Sequence, residues 1–301
     1  MTTAASPRRL VWNRLMRHRL AQVSLAFLVV LLVLSLAAPL IADLRGIDPS
    51  TTDLFRRLEG PSAEHWLGTD DLGRDLFQRL LDGGRVSLLV GLSGALLSAI
   101  LGAIVGVLAG YLGGRLDSVL MRLTDGVIAL PLLPLLIVLA AIDPRKIGIP
   151  AEIAQSETFS LYRIVVIVAL TGWTTVARLV RAETLSLKAR DFTRAAQALG
   201  AVPLRIMFRH ILPNAAGSLV VATTMSVGTL ILFESTLSFL GLGTQPPAAS
   251  WGNMLTGAQE LLQQAPVLAL WPGLLIFLTV IAFNFVSDGL QNALDPRSER
   301  R

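Results

Sequence analysis

The sequence predicts an all-α membrane protein with six transmembrane helices, an expectation carried by three observations. Hydrophobic residues make up 53% of the chain against 16% charged, and mean hydropathy is +0.63. That is more apolar surface than one soluble core of 301 residues can hide. The apolar residues gather in charge-poor runs close to the about 20 residues a helix needs to cross a hydrocarbon layer of about 30 Å. Finally, the 26 Lys and Arg residues flank those runs. The formal charge of +5 is therefore a topology signal rather than a nucleic-acid signal, and membrane lipid is the expected surrounding.

Taken in order, residues 1–20 form a basic leader with Arg8, Arg9, Arg14, Arg17 and Arg19, and residues 21–42 form the first span. This run exceeds the about 7–15 residues of a signal-peptide core and no small-x-small site follows it, so it is expected to stay uncleaved. Residues 43–85 form an external loop. A five-helix core over 86–290 then has spans near 86–112, 118–142, 162–180, 215–242 and 267–290. The second of these carries Arg122 and Asp125 in its first turns, with Pro131 and Pro134 further on; the third is bounded by Arg163 and Arg178, whose long side chains can snorkel. Residues 291–301 form a tail. Placing both termini in the cytoplasm puts 17 of the 26 basic residues inside, which fixes the expected orientation.

Two connecting regions have internal pattern. In the cytoplasmic loop, 181–213 within the wider stretch from Arg178, Asp191 can cap a short helix and Gly200 can supply a left-handed residue at its end. Between them Phe192, Ala195, Ala196 and Leu199 recur at helical spacing. A second short helix is expected after Pro203, with Leu204, Met207, Phe208 and Ile211 on one face, and Pro213 marking a break before the fifth span. On pattern alone, this amphipathic pair fits either an interfacial element on anionic lipid or a docking element for a cytoplasmic partner. In the external loop, the run His65-Trp66-Leu67-Gly68-Thr69-Asp70-Asp71-Leu72-Gly73-Arg74-Asp75 places one histidine among aspartates. With no second nitrogen ligand nearby it predicts no metal site. It reads as a tight, charge-paired turn in which Arg74 and Arg85 neutralise Asp70, Asp71, Asp75 or Asp82.

Residues Arg194-Ala195-Ala196, Gly200 and Leu212-Pro213 resemble the EAA loop of permease subunits of ABC importers. The external run resembles the H-x-L-G-T-D-x-x-G-R-D segment of the dipeptide, oligopeptide and nickel branch of that family. Glu234 to Gly243, Gln245-Pro246-Pro247, Ser250-Trp251-Gly252, Asp288-Gly289-Leu290 and Asp295-Pro296-Arg297 resemble the same branch, most of all its C-type subunit. The resemblance implies a type I importer permease fold in the bacterial inner membrane. It also implies a homologous permease partner, two ATP-binding subunits that hold ATP and Mg, and an extracytoplasmic binding protein that delivers a di- or oligopeptide. It makes Asp191, Phe192, Arg194, Ala195, Ala196, Leu199 and Gly200 the ATPase-coupling element, and ATP-driven closure would rock the fourth and fifth spans. Arg194 stands where the family usually has glutamate.

Polar residues at membrane depth are costly unless they face protein or water. Glu234 is expected toward the outer end of the fifth span, with Asn284 and Asp288 toward the inner end of the sixth. Glu234 fits either a packed hydrogen-bonding carboxylate or pathway lining; Asn284 and Asp125 are further pathway or gating candidates. Asp125 and Arg122, three apart, are expected to neutralise one another. Gly102, Gly106 and Gly110 recur every fourth residue, a close-packing face for this chain's own helices or for a second permease. The only lysines, Lys146 and Lys188, follow Arg145 and Leu187, so the phosphate cradle Gly-Lys-Ser/Thr is missing. No catalytic constellation, cofactor site or cysteine is present in the sequence. The competing reading is an ion-coupled secondary transporter using Glu234 or Asp125.

Overall fold

The computed structural model describes residues 12–294 except Pro246 and Gln259, and omits the side chain of Ile147. Arg8, Arg9, Pro246, the Asp295-Pro296-Arg297 motif and most of the expected tail lie outside the described residues. The described chain is helical, with one isolated bridge between Thr69 and Asp75.

Helix α1 (Arg19–Leu36) is capped by His18, whose Nδ1 accepts from the Ala21 amide at 3.2 Å. It stops at Ala37, and α2 (Ala38–Arg45) follows with proline in its first turn. Pro39 cannot donate into the preceding helix, so the expected 21–42 span is two helices rather than one. Helix α3 (Leu76–Leu112) starts well before the expected residue 86, capped by Asp75. Arg79, Asp82 and Arg85 gave this first stretch the composition of a loop. Instead Arg79 is buried, and Gly83 and Gly84 admit neighbouring elements. A Cβ on Gly84 would lie 2.5 Å from Ser35 Oγ and 3.0 Å from the Trp251 ring.

The expected span at 118–142 is a bent pair, α4 (Gly114–Ala129) and α5 (Leu132–Ala141), turned by 91°. Pro131 drives Leu130 into an extended conformation with ψ 137°, which ends α4. Among the described residues there are thus five helices long and apolar enough to cross a membrane, or six if the bent pair counts as one span. Helix α6 (Glu157–Lys188) outruns its expected span at both ends and is capped by Ser156. After α7 (Asp191–Ala198) and α8 (Pro203–Ile206), a π turn over Met207–Ile211 leads directly into α9 (Leu212–Phe239). Pro213 therefore lies inside a continuous rod, Pro203–Phe239, and does not mark a break. The widened π turn just ahead of it accommodates a residue that cannot donate a hydrogen bond. Helix α10 (Val267–Leu294) closes the bundle, with Pro272 in its interior.

Helix α3 is the centre of the packing. Its glycine stripe lies on α6: Cβ atoms on Gly102, Gly106 and Gly110 would come within 2.7 Å of Trp173 O, 2.6 Å of Ala177 O and 2.9 Å of Arg181 O. The stripe is thus an internal packing face, the first of its two readings. Another face of α3 meets α9, where Cβ on Gly91 would reach Ile231 Cγ1 at 2.4 Å. Helix α10 meets α1 through Gly289 and Ala21. The main core joins α3, α5, α6, α9 and α10 with Trp251, which is fully buried.

Candidate functional site

Three places concentrate polar side chains. The first is the external loop before α3. Gly68 and Gly73 have φ of +82° and +76°, and Cβ atoms there would fall 2.3 Å from Glu59 O and 1.8 Å from Asp53 O. Only glycine permits the two reversals and the close approach of the loop 53–60. Within the turn, Asp70 Oδ1 accepts from the amides of Leu72 and Arg74, both at 2.9 Å, while its Oδ2 receives Arg74 at 2.7 Å and Arg79 at 3.2 Å. Asp75 is fully occupied: Oδ1 takes the Gln78 amide at 2.7 Å and Arg45 Nη1 at 3.1 Å, and Oδ2 takes Arg45 Nη2 at 3.1 Å and His65 Nδ1 at 2.9 Å. The Arg45 guanidinium also covers the rings of Trp66 and Phe77, 4.5 and 5.5 Å from their centroids. Burial pushes the Asp75 carboxyl up, but Arg45, the Gln78 amide and His65 outweigh it and hold it below the ordinary 3.8.

The expected neutralisation of this loop by Arg74 and Arg85 is corrected in part. Arg74 does pair with Asp70 and approaches Asp71 at 4.0 Å. Asp75 instead takes its cation from Arg45 at the end of α2, and Arg79 shares Asp70. Neither partner could be assigned from local spacing, because Arg45 is 30 residues away and Arg79 enters only through the early start of α3.

The second place is Glu234, which has no exposed surface. Ser87 of α3 donates to its Oε2 at 3.0 Å, and Ser238 to its Oε1 at 2.7 Å; Ser235 is 3.4 Å away. Ser87 Oγ in turn accepts the Trp251 amide at 3.2 Å, and Trp251 Nε1 donates to Leu80 O at 3.0 Å. The carboxylate therefore ties α3 and α9 to the segment that returns between α9 and α10. Gly252 makes that return fit: its Cβ would sit 2.5 Å from Ser235 Cα.

The third place is α7. Asp191 is its first residue and offers no side-chain cap; the cap position is Arg190, whose side chain makes no cap bond either. Gly200 takes φ +81° and ends the helix, with the Ala201 amide donating to Ala196 O. Phe192, Arg194, Ala195 and Leu199 are exposed, Leu199 at 89%, and Ala196 is half-buried, so the apolar stripe faces outward. Its anchoring side is Thr193, which has no exposed surface and donates to Leu187 O at 2.8 Å. Asn284 is half-buried and Asp288 exposed. Asp125 pairs with Arg178 of α6, not with Arg122, and Asp117 forms a two-pronged pair with Arg181, both contacts at 2.6 Å. The two pairs fasten α4 to α6.

A family profile described as binding-protein-dependent transport system inner membrane component matches residues 102–300. A second, the N-terminal transmembrane domain of oligopeptide transport permease C, matches residues 6–61. The chain belongs to this importer permease family. The permease is 38% identical over 284 residues to the oligopeptide transport system permease protein OppC of Bacillus subtilis, covering 94% of this chain and 88% of that one. It is 39% identical to the dipeptide transport system permease protein DppC of Alkalihalophilus pseudofirmus, covering 98% and 91%. It is also 39% identical to the glutathione transport system permease protein GsiD of Escherichia coli, covering 95% and 89%. Among solved structures, the inward-facing MetNI methionine ABC transporter contains a chain of the same fold, with a TM-score of 0.56 and 21% identity over 72% of this permease and 96% of that chain. Membership places the permease among integral inner-membrane, C-type subunits and leaves the ion-coupled alternative without support.

Proposed function

We propose that this permease forms, with a homologous partner, the pathway of an ATP-driven importer for di- or oligopeptides handed over by an extracytoplasmic binding protein. ATP hydrolysis and its Mg belong to two separate ATP-binding subunits. The observation that carries the reading is the outward-facing stripe of α7. An apolar face on a polar loop costs free energy in water unless a partner covers it, and Phe192, Ala195 and Leu199 are positioned as anchors with Gly200 ending the helix. The peptide class rests on the relatives named for oligopeptide, dipeptide and glutathione transport. In this reading both termini are cytoplasmic, and the buried Asp70–Asp75 knot holds in place the external loop, whose exposed Trp66 and Leu72 face the binding protein. Arg194 is exposed, with no side-chain bond among the described residues, and in this position it suits a carboxylate on the ATP-binding subunit.

The test is purification of the tagged permease from its native membrane in mild detergent, with mass spectrometry of bound chains and reconstituted peptide uptake. A second permease and ATP-binding chains should be recovered, and uptake should require ATP and the binding protein. Uptake by the purified permease alone, driven by a proton gradient, would overturn the proposal.

A further inference from the structure

The coupling helix needs a route into the membrane domain, and the polar contacts on the inner side of α7 define one. Tyr111 lies one residue before the end of α3, with its ring in the cytoplasmic apolar cluster beside Val107, Val180, Ile206, Met207 and Ile211. Its three polar features are all engaged from the coupling side. The backbone carbonyl, one of the last four on α3 and without a helical partner, accepts from Lys188 Nζ at 2.6 Å. The same ammonium lies 5.3 Å from the centre of the ring. The phenol oxygen accepts from Gln197 Nε2 of α7 at 3.3 Å. A cation at this helix end is also favoured by the α3 dipole.

We propose that Tyr111, Lys188 and Gln197 act as positioning residues that join the coupling helix to α3 and α6 and make the three move as one body. This inference rests on the coupling reading of α7 given above. Two further facts support it. The Gly102–Gly106–Gly110 stripe leaves no slack between α3 and α6, and Thr193 fixes α7 to the end of α6. No side-chain hydrogen bond or ion pair ties α7 to α8 or α9 among the described residues. The link there is the short chain through Gly200 and Pro203. A push on α7 thus enters through α3 together with α6, and α9 follows through its packing and through the Ser218 Oγ bond to Glu183 Oε1 of α6 at 2.9 Å.

The experiment uses the complete reconstituted importer and reads peptide moved per ATP hydrolysed. Tyr111→Phe removes one oxygen and keeps the ring in its cluster, so folding is preserved. Lys188→Met removes the charge, and Lys188→Arg restores it. The expected result is a two- to five-fold lower ratio in Tyr111→Phe and a ten-fold or greater loss in Lys188→Met, with substantial recovery in Lys188→Arg and all subunits still bound. Tyr111→Phe combined with Gln197→Ala should lose no more than either alone, because both remove the same bond. Wild-type ratios in intact Tyr111→Phe and Lys188→Met complexes would overturn the relay while leaving the coupling reading in place. A wild-type permease that binds no ATP-hydrolysing chain would overturn both.

Discussion

At the scale of single residues, Asp75 concentrates most of the order of the external loop, because one carboxylate serves a helix cap, a two-pronged arginine and a histidine. Asp75→Asn leaves the half-buried Arg45 guanidinium without its counter-charge, a loss that stays below the about 3–5 kcal/mol of a fully buried pair broken on one side. The expected outcome is a clear drop in thermal stability in detergent and new protease cleavage within the loop, with the helical core intact. The pH dependence has a definite sign. The folded carboxyl titrates below the ordinary 3.8, so its contribution is complete above that value and is lost only as pH falls through the folded one. Proteolysis of the loop should therefore be flat from neutral pH to about pH 5 and rise at stronger acidity, an effect that Asp75→Asn abolishes. Glu234 differs, since it is enclosed by hydroxyl donors with no arginine. Glu234→Leu strands Ser87 and Ser238, at about 1–3 kcal/mol for each unpaired group, and should lower both stability and uptake. Glu234→Gln keeps an acceptor oxygen and should retain most uptake, whereas a proton-coupled transporter would lose it.

At the scale of elements, the α3–α6 contact is the least tolerant of added volume. Gly106→Val must displace the backbone at Ala177 and Arg181, and overpacking of this kind costs about 1–3 kcal/mol or more. Gly126→Ala in α4, with nothing within 4 Å of the new carbon, should be neutral or stabilising by about 0.4–1 kcal/mol. Thermal unfolding in detergent checks both. The glycine stripe was legible in the sequence because small residues recurring every fourth position have few other uses inside an apolar run. The start of α3 was not, since Arg79, Asp82 and Arg85 have the composition of a loop, and the burial of Arg79 against Asp70 is a tertiary contact that spacing does not show. The bend at Pro131 was half legible: proline announces a break, but its 91° angle depends on what α5 packs against. Pro213 misled for the opposite reason, its missing donor being absorbed by the π turn.

At the scale of the whole molecule, membrane class followed from run length and charge position, because the bilayer sets the length of a span; the expected six spans are reached among the described residues only when the bent α4–α5 pair is counted as one. Long-range pairing did not follow: Arg45 with Asp75, Arg178 with Asp125, and Lys188 with Tyr111 join residues 30, 53 and 77 apart, and the sequence offers several equally charged candidates for each. The exposed face of α7 was legible as a stripe, though whether lipid or protein covers it was not.

That covering is the central claim, and the absence of cysteine from the sequence makes it directly measurable. A photo-reactive probe attached to the single thiol of Ala195→Cys, in native membranes with the importer's other subunits present, should join the permease to an ATP-binding chain, with a yield that changes when ATP is added. A probe that labels only lipid while ATP-dependent peptide uptake continues would contradict the account and return α7 to the role of an interfacial helix.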